Sequence, residues 1–260
     1  MADEQAGAAL ARLYDLDTAE EMADLDLYLG LAAATGGAVL ELAAGSGRLA
    51  LAMARAGHAV TAVDNDPHML ARAQAAWQAP DEAGRRGGSL ETVEADVVQL
   101  ELEHRFGLVI LAFNTLLLLE RDAQRACVAT MARHLAPEGK AVLDVWLPSP
   151  EDLALYDGRL TLEWLRHDEE TGDNVAKYFS ARYDPALASA QLHTFYDVWS
   201  EPAGQLRRLA RRDELSFLSS HEVLALVEAA GMAPEVVGED YGLSPFGTGS
   251  ERMVMVCGLL

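Results

Sequence analysis

Hydrophobic positions along the chain switch between a helical period and a strand period. Residues 18–34 place Met22, Leu25, Leu29 and Ala32 on one helical face behind Thr18, with Glu21 three residues on as a capping partner. Gly36 and Gly37 end that pattern. Residues 38–43 (AVLELA) then read as a short buried strand, the turn AGSGR follows, and LALAMARAG reads as a helix stopped at Gly57. AVTAVD is a second strand, Asp66 and Pro67 open a helix with HMLARAQAAW as its body, and a polar Gly/Arg turn over residues 80–89 closes the unit. LETVEAD and FGLVILAF continue as strands three and four, followed by a helix over residues 121–135, the turn APEGK and strand five, AVLDVW. Strands alternating with helices in this way predict a parallel sheet covered on both faces. Right-handed crossovers make it doubly wound.

Beyond Pro150 the period changes. LTLEWLRHD, VAKYFSARYD and AQLHTFYDVW, within residues 159–212, are aromatic runs with two-residue alternation, separated by turn signals such as Asp184-Pro185. They predict an inserted antiparallel β layer. The helical period returns at Ser219-Ser220-His221-Glu222, a capping box before EVLALVEAAG. PEVVGEDYG and RMVMVCG then close the chain as a strand at the sheet edge and an antiparallel return. The expected organisation is an N-terminal core over 1–150, the β layer over 151–212, covering the site of whatever the protein acts on, and a C-terminal helix and strands over 213–260 that complete the core.

Composition narrows the partners. The chain has 260 residues, with 20 Lys and Arg against 41 Asp and Glu, a formal net charge of -21. Such a charge repels phosphate backbones and anionic lipid surfaces, so neither nucleic acid nor membrane is expected. The two cysteines, Cys127 and Cys257, form no CxxC pair, which fits a reducing, cytoplasmic setting and neither a disulfide framework nor a zinc site. The longest apolar stretch, Leu108 to Leu119, is interrupted by Asn114 and falls short of the roughly 20 residues a membrane span needs. The histidines show no HxH or HExxH spacing, and Asp66 of Asp64-x-Asp66 is explained as the cap before Pro67, so no metal is expected.

The chemistry concentrates in Glu41-Leu42-Ala43-Ala44-Gly45-Ser46-Gly47, ahead of a helix, with Asp64 ending the next strand. Gly45 and Gly47 permit a tight turn and close approach of a ligand to the free N–H groups of the helix start. Asp64 stands where a doubly wound fold presents an acid to ribose hydroxyls. Glu41 is an acid inside an apolar strand: it would repel a pyrophosphate and favour a cationic amino acid or sulfonium. Asp96 ends strand three, placed to accept from an adenine amine, and Asn114 ends strand four over the same crevice.

These segments resemble the class I S-adenosylmethionine-dependent methyltransferases, in particular the small-molecule group. The resemblance is carried by Leu40-Glu41-Leu42-Ala43-Ala44-Gly45-Ser46-Gly47-Arg48, by Ala62-Val63-Asp64-Asn65-Asp66-Pro67-His68-Met69-Leu70 and by Ala95-Asp96. Tyr14-Asp15, Leu135-Ala136-Pro137-Glu138-Gly139-Lys140, Ala229-Ala230-Gly231-Met232 and Asp240-Tyr241 extend it over nearly the whole chain. The resemblance implies a Rossmann-like sheet, mostly parallel with an antiparallel C-terminal strand, and S-adenosyl-L-methionine as cofactor, with S-adenosyl-L-homocysteine as product. It further implies that Glu41, Ala43, Gly45 and Gly47 shape the methionine end, that Asp64 with Asn65 holds the ribose, that Met69 packs near adenine, and that Asp96 and Val97 read the adenine edge. The chain departs from the pattern at Ala43, where the first glycine is usual, and at Gly107, where an acid is common.

With that cofactor the chain would place a nitrogen or oxygen nucleophile of a small, neutral or cationic acceptor in line with an activated methyl group. Tyr14, from the YD element, and His193, from the inserted layer, are the candidates to assist a departing proton. Two alternatives remain open on the motif: an NAD-dependent oxidoreductase, disfavoured by Glu41 and by Ala50 where a third glycine would stand, and a non-catalytic cofactor-binding interaction domain.

Overall fold

A computed structural model describes residues 2–80, 87–200 and 204–260, most of the expected 80–89 turn lying outside them. The chain opens with α1 (Ala2–Thr18) and α2 (Leu25–Thr35), then alternates through β1 (Val39–Leu42), α3 (Arg48–Ala56), β2 (Ala59–Asp64), α4 (Pro67–Gln78), β3 (Ser89–Glu94) and β4 (Phe106–Leu111). A short 3-10 turn, Thr115–Leu118, leads to α5 (Arg121–His134) and β5 (Leu135–Trp146). After α6 (Pro150–Ala154) come four consecutive strands, β6 (Thr161–Asp168), β7 (Asp173–Asp184), β8 (Ser189–Trp199) and β9 (Arg207–Ser216). The chain ends with α7 (Ser220–Ala229), β10 (Met232–Gly238) and β11 (Arg252–Leu259).

Two compact units result: Met1–Glu20 with Pro148–Phe217, and Glu21–Leu147 with Leu218–Leu260. In the second, a seven-stranded sheet has the order β10-β11-β5-β4-β1-β2-β3. Strands β5, β4, β1, β2 and β3 pair in parallel, and β11 runs antiparallel to both β5 and β10. Chain order reverses between β1 and β4, which opens a crevice at their carboxyl ends, where doubly wound folds bind ligands. β1 is buried along its whole length and β4 nearly so, as expected of parallel strands covered on both faces. Tyr28, Met53, Val60, Leu108, Ile110 and Val142 are among the side chains that fill the core around them. Gly107 lies against Gly37, and a Cβ on either would come within 2.9 Å of the other's Cα, so an acid has no room there. Both cysteines are free and buried, and burial pushes their thiols up to about 12.

The first unit is an antiparallel sheet of order β6-β7-β8-β9 with α1 packed on one face. Leu13 is buried among Val175, Tyr196 and Val198, flanked by Leu10, Leu16, Trp164 and Leu209. Asp17 near the end of α1 accepts from Trp164 Nε1 at 2.8 Å and from Lys177 Nζ at 2.5 Å, and Arg12 pairs with the buried Asp168.

Three sequence expectations change. Thr18 does not open a helix: it ends α1, its hydroxyl donating to the Tyr14 carbonyl at 3.0 Å, and the next helix starts after Asp24. The segment read as the turn APEGK belongs to β5, which pairs with β4 from Leu135–Phe106 onward through a register shift between Phe106 and Leu108. Pairing with a neighbour here outweighs local turn chemistry. The β layer also holds one more strand than the pattern showed, β9, whose Arg-rich stretch masks the alternation. Ser219 and Glu222 do form the expected capping box.

Replacing Asp17 by Ala strands the Trp164 indole N–H and leaves Lys177 to its other partner, Glu163 at 2.9 Å. The variant is expected to lose about 2 kcal/mol of stability in chemical denaturation, the scale for breaking hydrogen bonds to a charged group.

Candidate active site at the strand ends

The turn after β1 is built from left-handed backbone. Ala43, Gly45 and Gly47 have φ of 53°, 56° and 86°. Ala44 N–H donates to the Val63 carbonyl at 2.9 Å, and Gly45 N–H donates to Asp64 Oδ2 at 2.7 Å. A side chain at Gly47 would meet the Ala73 Cβ at 3.0 Å in addition to the strain of its φ. Ala43, in the place of the expected first glycine, adopts the left-handed conformation anyway, at a cost of about 1–2 kcal/mol. The other oxygen of Asp64 accepts from Asp66 N–H at 2.9 Å, and Asp66 in turn caps α4 through His68 N–H at 2.8 Å. Asp64 thus anchors both turns, with further lone pairs on each oxygen able to accept from a ligand.

Glu41 stands in the middle of β1 and is only 4% exposed. It receives the Ala50 N–H from the start of α3, while its Oε2 has no partner. Burial, reinforced by Asp24 and Asp64, pushes its carboxyl up to about 8, against the opposing pull of Arg48 and of the Ala50 N–H. Arg48 is held by a two-bond pair to Asp24, both at 2.6 Å, and lies over the Phe113 ring at 5.4 Å.

Past β4, Phe113 and Asn114 are both left-handed, with φ of 58° and 59°. Asn114, expected to face the cofactor, has its Oδ1 accepting from Trp146 N–H at 2.6 Å and from Arg252 at 3.3 Å. Its backbone N–H donates to Asp144 Oδ1 at 3.4 Å. Asp144 Oδ2 accepts from Tyr241 Oη–H and from Arg252, each at 2.6 Å. Desolvation raises the Asp144 carboxyl despite these partners. The sequence reading missed this cluster, although Asp144 carries the same signal as Glu41: one acid in an otherwise apolar strand, AVLDVW beside AVLELA.

Of the remaining candidates, Asn65 and Asp96 are exposed, Met69 is half-buried and Val97 is buried. Asp96 Oδ1 accepts from Val98 N–H at 2.9 Å. Glu41 lies within β1, and these residues with Ala43, Gly45, Gly47 and Asp64 follow or end β1, β2 and β3 in the same unit. Tyr14 and His193 belong to the other unit, Tyr14 on α1 and His193 on β8, its ring stacked on Phe195. Among the described residues, no three His, Cys, Asp or Glu side chains group as a metal site.

Residues 39–139 match the family described as methyltransferase domain. The chain is 26% identical over 222 residues to a cypemycin N-terminal methyltransferase from Streptomyces sp, covering 85% of this chain and 82% of that protein. The CcbJ methyltransferase from Streptomyces caelestis superposes with a TM-score of 0.72 at 26% identity, over 90% of each chain. Residues 39–139 thus carry a methyltransferase domain, and the chain is similar over most of its length to methyltransferases. A second structure, an S-adenosylmethionine-dependent methyltransferase from Clostridium acetobutylicum ATCC 824, shares the fold with a TM-score of 0.73 at 15% identity, over 96% of this chain and 98% of that one.

The residues present fit the methyltransferase cofactor, S-adenosylmethionine. A buried carboxylate oxygen without a partner suits a cationic ligand and opposes a pyrophosphate, and the turn beside it brings little side chain toward the crevice.

Two expectations follow for this methyltransferase. The Glu41 carboxyl titrates near 8 when folded and near 4.5 when free, so wild-type stability falls as pH rises from about 4.5 through 8. Glu41→Gln removes that loss: at pH 8.5 it should be more stable than wild type by up to about 5 kcal/mol, since each pKa unit is worth roughly 1.4 kcal/mol. The same variant should bind S-adenosylmethionine more weakly, and wild-type affinity for this cation should climb between pH 6.5 and 8.5 in calorimetric titrations. Ala43→Gly should relieve the left-handed strain and raise stability by about 1 kcal/mol in thermal melts, with cofactor affinity retained.

Proposed function

We propose that this methyltransferase modifies a small-molecule acceptor through a nucleophilic nitrogen or oxygen, placed in line with the methyl group of S-adenosylmethionine. The observation that carries the reading is the unpartnered, buried carboxylate oxygen of Glu41 beside the left-handed turn over residues 43–47. An acid there serves a cationic methionine end and disfavours the NAD alternative. Nitrogen is the better-supported atom, because the cypemycin relative is an N-terminal methyltransferase.

When bound, S-adenosylmethionine supplies a methyl group already activated by its sulfonium. The chain's own task is then to hold the reactants in register and apart from water. In this proposal Glu41, Ala43, Gly45 and Gly47 receive the methionine end, Asp64 and Asn65 the ribose, Met69 the adenine face, and Asp96 and Val97 the adenine edge. Asn114, whose amide oxygen is held by Trp146 and Arg252, stays assigned to the cofactor crevice at the end of β4. The inserted strands over 151–212 are assigned to acceptor selection, and Tyr14 or His193 to acceptance of the acceptor's proton. The free, buried cysteines support a reducing, cytoplasmic setting.

Calorimetric titration with S-adenosylhomocysteine and, separately, with NAD tests the reading. Binding of the first alone is expected, and binding of NAD alone overturns it. Asp64→Ala should weaken S-adenosylhomocysteine by about 1–3 kcal/mol, and unchanged affinity would remove Asp64 from the ribose site. Mass spectrometry of a panel of amines and phenols incubated with S-adenosylmethionine should show methylated products, amines foremost. On an accepted amine, Tyr14→Phe or His193→Asn should lower kcat and shift its pH profile if that residue takes the proton. An unchanged profile in both assigns the proton to water.

A further inference from the structure

Of the seven histidines, all among the described residues, His134 is the buried one, 1% exposed at the end of α5. Both of its ring nitrogens are engaged: Nε2 stands 2.9 Å from the backbone nitrogen of Leu102, and Nδ1 lies 2.8 Å from the Thr130 carbonyl oxygen. A backbone N–H can only donate, and a carbonyl oxygen can only accept. Nε2 is therefore the acceptor, Nδ1 carries the proton, and the ring is neutral, since an imidazolium donates from both nitrogens.

Leu102 belongs to the segment 95–105, which joins β3 to β4. The last turn of α5 holds this segment through three side chains. Arg133 donates to the Leu100 carbonyl at 3.0 Å, Arg105 donates back to the carbonyls of Arg133 and Leu135 at 2.9 and 3.1 Å, and His134 receives the Leu102 N–H. The two guanidinium ties do not titrate in a folded protein, whereas imidazole ordinarily changes charge between pH 5 and 8. Other charges stand back from the ring. Glu101, Glu103 and His104 flank Leu102 on the segment and are exposed, Glu138 of β5 is exposed, and Lys140 of β5 pairs with Glu235. Arg121 and Glu222, which join α5 to α7, lie at the other end of the helix.

We propose that His134 is an acid-operated latch on the segment 95–105. When the ring takes a proton from water, Nε2–H faces the Leu102 N–H, and two donors meet where an acceptor is needed. Release of Leu102 removes that conflict and lets the imidazolium reach water, as a local opening of one connection of the sheet. The open form binds one proton more than the closed form, so closure is favoured at higher pH and lost as pH falls. On the methyltransferase reading, Asp96 and Val97 at the head of this segment receive the adenine edge. Acid then lowers cofactor affinity through a residue that does not touch the cofactor.

The test compares wild type with His134→Gln, whose amide oxygen can accept from Leu102 but takes no proton. Amide exchange of residues 97–105, relative to an unstructured peptide at the same pH, should rise about tenfold in wild type between pH 7.5 and 5.5. In His134→Gln it should stay within about twofold, as should residues 220–229 of α7 in both proteins. Glu41 titrates in both proteins and cancels from the comparison. In calorimetric titrations with S-adenosylhomocysteine over the same range, wild-type affinity should fall about tenfold further than that of the variant. The same pH dependence of exchange in both proteins overturns the latch. Exchange that follows His134 without any effect on S-adenosylhomocysteine overturns its link to the cofactor. A protein that binds no S-adenosylhomocysteine at any pH overturns the cofactor reading, and exchange still decides the latch. Should His134→Gln melt early, nitrogen NMR of the wild-type imidazole carries the test: the ring must hold its proton on Nδ1 at pH 7.5 and take a second one in step with exchange. A charged ring beside a protected segment overturns the latch.

Discussion

The carboxylate of Asp64 joins the two turns on which the site is built. One oxygen receives the N–H of Gly45, just past β1, and the other receives the N–H of Asp66, just past β2. β1 and β2 run in parallel with Leu42 opposite Val63, so the two turns leave the sheet at the same level and one short side chain can reach both. Asp66, held in this way, caps α4, and the left-handed turn around Gly47 starts α3. Remove that carboxylate and the starts of two helices lose their common anchor. The site's backbone geometry therefore depends on one acid, the same one proposed to hold the ribose.

A second constraint is the handling of negative charge. The chain carries -21 overall, yet its buried acids near the crevice are not left alone at random. Asp24 is matched by Arg48, and Asp144 by Arg252 with Tyr241 and Asn114 in support. Glu41 differs: it keeps one oxygen unsatisfied, and burial lifts its carboxyl toward neutral pH. Buried groups that are costly to fold and useful to a cation are the kind of local compromise that binding sites carry. The left-handed Ala43, Phe113 and Asn114 add backbone strain along the same strand ends.

Much of the fold was legible because its signals are local. The helix starts at Asp66-Pro67 and at Ser219-x-x-Glu222 depend on hydrogen bonds spanning two or three residues, and both formed as read. The buried strands around Glu41 and Asp64 needed only their apolar runs. Thr18 shows the limit: a threonine followed by glutamate resembles a helix start, but the hydroxyl folded back on Tyr14 and ended α1. That helix was not read from the pattern, because its apolar face is completed by β7 and β8, which lie far from it in the chain. Likewise Asn114 stands at a strand end, where a ligand contact is a fair expectation, yet its partners come from β5 and β11.

By itself the sequence determined the alternation of strands and helices, the glycine turn, the acid at the end of β2 and the resemblance to methyltransferases that these carry. Each rests on interactions between residues close together in the chain, or on a periodicity that burial imposes directly. Only the tertiary structure decided that APEGK extends β5, that α1 belongs with the inserted sheet, and that Arg252 reaches across 108 residues to Asp144. It also decided that the Tyr28 hydroxyl and one oxygen of Glu41 are left without partners. Whether a buried polar group is satisfied depends on what packing brings to it from distant parts of the chain, and that is a property of the assembled core.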